Sequence, residues 1–119
     1  MNIPTLRGAI FESWVVAEIY KASVHGGLQP RLFHYREARG AEIDLLIEEG
    51  QDLAAIEIKS SATIHEDFFK NLNRFSDRMK HVDRPGTVRS HVVFGGESSQ
   101  QRSLVQVLSW RHVDRLITT

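Results

Sequence analysis

The stretch from Gly40 to Ser61 leaves the chain few ways to fold. Two runs rich in Ile, Leu and Ala flank the dipeptide Gly50-Gln51. A two-residue hairpin loop with Gly first favours a type II′ turn, whose twist suits antiparallel strands. That turn sets the register. Leu45 faces Ile56, Ile47 faces Ala54 and Ile43 faces Ile58, giving one apolar face. On the other face Asp44 lies opposite Glu57, and Glu42 lies opposite Lys59. Glu57 and Lys59 are two apart on a strand and so point the same way. Like charges placed directly opposite one another are destabilising. A hard divalent cation resolves the conflict, because Mg²⁺ and Mn²⁺ prefer carboxylate oxygen and water. The plainer alternative is an exposed Glu42–Lys59 ion pair, worth a fraction of a kcal/mol, with Asp44 and Glu57 open to solvent.

The rest of the chain brackets this hairpin. From about Leu6 to His25, Ile10, Phe11, Trp14, Val15, Ile19 and Tyr20 recur at helical spacing, and Gly26-Gly27 provides a stop. Glu12 and Glu18 lie on this helix but about 240° apart around it, so they cannot face one point. Leu32 to Arg36 is a short aromatic strand, and residues 37–40 turn into the hairpin. Thr63-Ile-His-Glu66 reads as a capping box opening a helix to about Lys80, with Phe68, Leu72, Phe75 and Met79 as its apolar stripe. Pro85-Gly86 marks a turn. Ser90 to Phe94 reads as a strand ending at Gly95-Gly96, residues 97–102 as polar loop, and Leu104 to Leu108 as a strand. Ser109 is placed to cap a short helix carrying Trp110, Val113, Leu116 and Ile117. The expected order is α-β-β-β-α-β-β-α, an α/β fold with helices flanking a mixed sheet.

Composition narrows the functional classes. The chain's 119 residues fit one domain, 1–119. Lys plus Arg equals Asp plus Glu, which argues against a strongly basic nucleic-acid-binding tail but leaves room for a local basic patch. Without cysteine there are no disulfides and no thiolate metal sites, which fits a reducing, cytoplasmic setting. The residues from Met1 to Gly8 do not form a signal peptide. No apolar run approaches the ~20 residues that span a membrane. The six histidines include no close-spaced pair, which argues against zinc. Lys70, Arg74, Arg78 and Lys80 on the second helix, with Arg84 and Arg89 beyond, offer phosphate contacts or simply a solvated face that Asp77 interrupts.

An acid early in the second strand followed by Glu-x-Lys on the third resembles the PD-(D/E)XK nucleases, the restriction-endonuclease-like superfamily. Its core is α-β-β-β-α-β. The matching residues are Asp44 and Glu57-Ile58-Lys59, with Ile43 where many members carry Pro. Many members add a Glu shortly after a Gly on the first helix, and Gly8-Ala-Ile-Phe-Glu12 fits that pattern, selecting Glu12 over Glu18. A nearer resemblance covers almost the whole chain. It is to the domain of unknown function found C-terminal to bacterial and archaeal AAA-type ATPases. It rests on Gly8-x-x-Phe-Glu12, Tyr35-Arg36, Gly40-Ala-Glu-Ile-Asp44, Ile56-Glu-Ile-Lys-Ser60, Leu72 with Phe75, and Gly95-Gly96. No phosphate-binding G-x-x-x-x-G-K-[ST] loop occurs, so the chain is expected to be an excised C-terminal domain or a standalone relative.

The resemblance implies a Mg²⁺- or Mn²⁺-dependent nuclease acting on DNA or RNA. Glu12, Asp44, Glu57 and the Ile58 carbonyl would be metal ligands. Lys59 would steady water and charge. Arg36 and Arg39, close to the acidic residues in sequence, are read as nucleic-acid phosphate contacts, and Ser60, just past Lys59, as a substrate contact or a plain loop hydroxyl. Many nucleases of this fold work as homodimers. The competing expectation is a catalytically silent module that binds nucleic acid or a protein partner beside an ATPase domain.

Overall fold

The structure, a computed structural model, describes residues 3–27 and 29–117, with backbone alone at 3–5 and 117. Helix α1 spans Ile3–His25, beginning earlier than the apolar pattern suggested. It ends where Gly27 takes φ 80° and its N–H bonds the Val24 carbonyl. Strands β1 (Arg31–Arg36), β2 (Glu42–Glu49) and β3 (Asp52–Lys59) form an antiparallel meander. A 3-10 turn at Glu66–Phe69 leads into α2 (Lys70–Lys80). Then come β4 (Val88–Phe94), β5 (Gln100–Arg102), β6 (Val105–Ser109) and a 3-10 segment at Trp110–Ile117. The six strands make one mixed sheet in the order β1-β2-β3-β4-β6-β5, with β4 parallel to both β3 and β6. Among the described residues no helix is long and apolar enough to cross a membrane.

The sheet is covered on both faces. Val15 and Ile19 of α1 and Val113 and Leu116 of the C-terminal segment pack on Leu45, Ile47, Ile56, Ile58 and Val93. On the other face Phe69, Leu72 and Phe75 pack on Ile43, Ala55, Val92, Phe94 and Val107. Phe75 is fully enclosed and meets Tyr35 edge-on at 4.9 Å. Burial of one such side chain stabilises the fold by about 1.5–3 kcal/mol. The outward side of α1 is apolar too: Leu6, Ile10, Trp14, Tyr20 and Val24 are all exposed.

The hairpin turn behaves as its sequence suggests. Gly50 has φ 63° while Gln51 is not among the positive-φ residues, as a type II′ turn requires. Leu45 pairs with Ile56 and Ile47 with Ala54. One expectation fails at the far end. Ile43 does not share a face with Leu45 and Ile47; it packs against α2. The cause is a β-bulge. Phe33 pairs with Leu46 but Tyr35 pairs with Ile43, so Asp44 and Leu45 together face His34. The extra residue reverses which way the strand points.

Other local expectations also change. The Thr63–Glu66 capping box does not form; Ser61 hydrogen-bonds Thr63, and Glu66 pairs with Arg102. The residues read as loop, 97–102, contain β5, an edge strand with no apolar alternation to reveal it. Leu104 lies outside β6, 85% exposed, beside Ser103 with φ 52°. Ser109 does cap the C-terminal segment, its hydroxyl accepting from the Arg111 N–H, but that segment is 3-10 and kinks at His112. The side chain of Ile117 lies outside the described residues.

Candidate functional site

The regular β2–β3 ladder stops at Leu45 and Ile56, and two carboxylates take over the next step. Glu57 Oε1 accepts the Asp44 N–H at 3.1 Å. Asp44 Oδ2 accepts the Ile58 N–H at 2.8 Å. Each acid thus binds the backbone of the strand opposite. The bulge makes this exchange possible, because it frees the Asp44 amide from ordinary pairing. The sequence-derived pair Asp44 and Glu57 is therefore brought together, through side chain and backbone rather than as two facing side chains.

Electrostatics sharpen the picture. Glu57 is only 2% exposed. Burial, and next the negative charge of Asp44, push its carboxyl up to about 7, against the pull of Lys59 and the Asp44 N–H. Lys59 Nζ lies 3.4 Å from Glu57 Oε2 and 5.9 Å from the Phe68 ring centre. Glu12, half-buried on α1, is also raised, first by burial and then by Asp44. Asp44 and Lys59 act on Glu12 and Glu57 alike, which puts all four in one electrostatic cluster.

The expected Glu42–Lys59 pair does not form. Glu42 instead meets His34 Nε2 at 3.1 Å, while Lys59 turns to Glu57. The bulge is again the cause, since it ends the register that would have set Glu42 across from Lys59. His34 Nδ1 comes within 3.5 Å of the Asp44 carbonyl. His34 and Phe68 are site neighbours that sequence reasoning did not single out. The usable signal for His34 was its place on β1 beside the acidic strand.

The other sequence-derived residues are spread more widely. Arg36 ends β1 opposite Glu42, and Arg39 lies in the turn closed by the Glu37 N–H to the Ala41 carbonyl. Both are exposed and make no ion pair among the described residues. The Ile58 side chain is in the core facing α1. Ser60 follows β3 and lines a groove with Trp14 and Trp110. Its carbonyl runs so close to Gly95 that any Cβ there would collide with it, and the Gly95 N–H bonds the Ser61 carbonyl at 2.8 Å. On α2, Arg78 and Lys80 pair with Glu37 and Asp77.

The donor set suits a hard cation in kind. Mg²⁺ is commonly held by one or two carboxylates, with water and phosphate completing its shell. Asp44 Oδ1 is free of hydrogen bonds among the described residues, and Glu57 Oε2 meets only Lys59. A cation there would also relieve the penalty on ionised Glu57. Among the described residues no three His, Asp or Glu side chains gather around one point.

No curated protein matches the chain. A family model does, over residues 7–113, nearly the whole length. The chain belongs to that family, the domain of unknown function DUF4143.

Proposed function

We propose that this DUF4143 domain is a metal-dependent, nuclease-like domain that hydrolyses phosphodiester bonds in nucleic acid, DNA in the first instance. The observation that carries the reading is the Asp44–Glu57 exchange at the β2 bulge, with Lys59 beside it. The fold supports it as well. A helix, an antiparallel three-strand meander, a second helix and a strand parallel to the third match the order of the restriction-endonuclease-like core.

Asp44 and Glu57 would hold Mg²⁺ or Mn²⁺, with the Ile58 carbonyl and Glu12 as further ligands by resemblance. The bound ion would supply Lewis-acid polarisation of a phosphoryl oxygen and a more acidic water. The ammonium of Lys59 would steady the attacking water or the charge developing on phosphate. Glu57, held near neutrality, is suited to bind a proton until the cation arrives. Arg36 and Arg39, exposed and without an ion pair among the described residues, would contact substrate phosphates, and Ser60 the substrate beside Lys59.

A second reading keeps the fold and drops the chemistry: an accessory module that binds nucleic acid or a protein, beside an ATPase domain in a longer chain. Its support is the zero formal net charge and the exposed apolar side of α1. The test is cleavage of single-stranded DNA, duplex DNA and RNA with Mn²⁺ or Mg²⁺, against EDTA. Wild type should cut, and Asp44→Ala and Lys59→Ala should not. Cutting that survives both substitutions would refute the site. Absence of both cleavage and metal binding would favour the accessory module.

A further inference from the structure

Building on the nuclease reading, we infer that the groove between α1 and the C-terminal 3-10 segment receives an unpaired base of single-stranded nucleic acid. The groove measures about 520 Å³, within the range of about 300–1,000 Å³ common for small-molecule sites. The chain has two tryptophans, and both line it. Trp14 and Trp110 meet edge to face, with ring centres 5.6 Å apart, and Trp14 is 40% exposed. Base-on-aromatic stacking is the general means of holding single strands, because every base has a π-face whatever its sequence.

The charges suit a polyanion. Glu97 is the one carboxylate in the lining, and Arg111 neutralises it while lying 4.5 Å over the Trp110 ring. Arg7, also in the lining, is exposed and makes no ion pair among the described residues. The groove therefore offers a free guanidinium beside aromatic surface, the pairing that tracks a phosphate backbone. Its position links it to the acids. Ser60 lines the groove, and its chain neighbour Lys59 touches Glu57. A strand with one base stacked on the exposed part of Trp14 would run its backbone past Ser60 toward Lys59. Base-paired DNA has no free base to insert, so this site would favour single strands and frayed ends.

The experiment uses the chain in EDTA, so that binding is read without cleavage. Tryptophan emission is titrated with single-stranded oligothymidine and, separately, with a blunt duplex. Saturable quenching by the single strand, stronger than by duplex, is the expected result. By anisotropy of a labelled oligothymidine, Trp14→Ala should weaken binding ~10-fold and Trp14→Phe much less. Arg7→Ala, on the exposed rim, should weaken binding and flatten its salt dependence. The inference is overturned if folded Trp14→Ala binds as wild type does. It is overturned too if the single strand causes no quenching, or if emission follows protein concentration, which would mean that a second copy fills the groove. Duplex cleavage without quenching would sink the groove and leave the nuclease. Quenching with no cleavage under any metal would sink the nuclease and leave the groove.

Discussion

Glu57 and His91 are buried on the two neighbouring central strands, and they solve the same problem differently. Glu57 pairs along the backbone with Val92, and His91 with Ile56. By strand alternation their side chains leave opposite faces of the sheet, Glu57 toward α2 and His91 toward α1. Glu57 lies at the end of its strand, where the ladder opens, with two partners and a second acid beside it. His91 lies mid-strand; Nδ1 meets Gln106 Oε1 at 2.9 Å, and Nε2 has no partner among the described residues. Burial favours the neutral form of both, lifting Glu57 to about 7 and lowering His91 to about 4. The difference teaches which kind of buried charge suggests chemistry. A strained acid with a lysine and another acid at an opening can be relieved by a cation or a proton. A solitary imidazole inside the sheet packing has nothing to act on.

If that contrast is right, activity should divide the two residues most sharply. Glu57→Gln, Asp44→Ala or Lys59→Ala should each lower metal-dependent cleavage roughly 100- to 1000-fold, while His91→Phe should leave it within about threefold if the variant folds. Equal losses at both places would break the comparison.

Stability should divide them next, and in opposite directions with pH. Glu57 has its folded value raised from 4.5 to about 7. Its contribution is therefore complete below pH ~4.5 and is lost as pH rises through about 7. By pH 8 the ionised acid costs about 3 kcal/mol. Urea unfolding of Glu57→Gln should show that gain at pH 8 and little change at pH 4. Slightly smaller is the effect of metal. Mn²⁺ at a hundred times its dissociation constant should stabilise wild type by about 2.7 kcal/mol. Thermal melts should show this vanish in Asp44→Ala and persist in His91→Phe.

The contrast was half legible in the sequence. Gly50-Gln51 announced both the turn and the register next to it, because turn chemistry is local and Gly takes φ 63° at no steric cost. Asp44, Glu57 and Lys59 were legible as a pattern. How Asp44 and Glu57 meet was not, since it depends on one extra residue in β2, and nothing between Glu42 and Leu46 marks a bulge. That extra residue sent Ile43 to the α2 side and Glu42 to His34. Residues Gln100–Arg102 were illegible for another reason: an edge strand held by pairing with β6 has no need of apolar alternation. Thr63 showed the opposite failure: the capping pattern was present in the sequence, but the helical turn starts after His65, and Ser61 accepts the Thr63 N–H instead. His91 lay inside a strand correctly read from its valines, but burial of its ring depends on both covering layers.

The smallest effect belongs to His91 itself. Its folded value falls from 6.5 to about 4, through burial first and then the nearby charge of Arg89, against the Gln106 hydrogen bond. As pH drops, the unfolded chain takes up the proton first. Stability from the neutral ring is thus whole above pH ~6.5 and lost between there and about 4. The loss should reach about 2 kcal/mol by pH 5. His91→Phe removes the proton site and the unpartnered Nε2 but leaves Gln106 without its bond, so at pH 7 the two nearly cancel. Between pH 7 and 5 the Glu57 gain and the His91 loss, each about 2 kcal/mol, nearly offset one another in wild type, so urea unfolding should be almost flat there, fall toward pH 5 in Glu57→Gln and rise toward pH 5 in His91→Phe. A fall in stability toward pH 5 that survives His91→Phe would remove His91 from the comparison, since Asp52, whose carboxyl Thr87 holds below its usual range, loses its contribution only at lower pH.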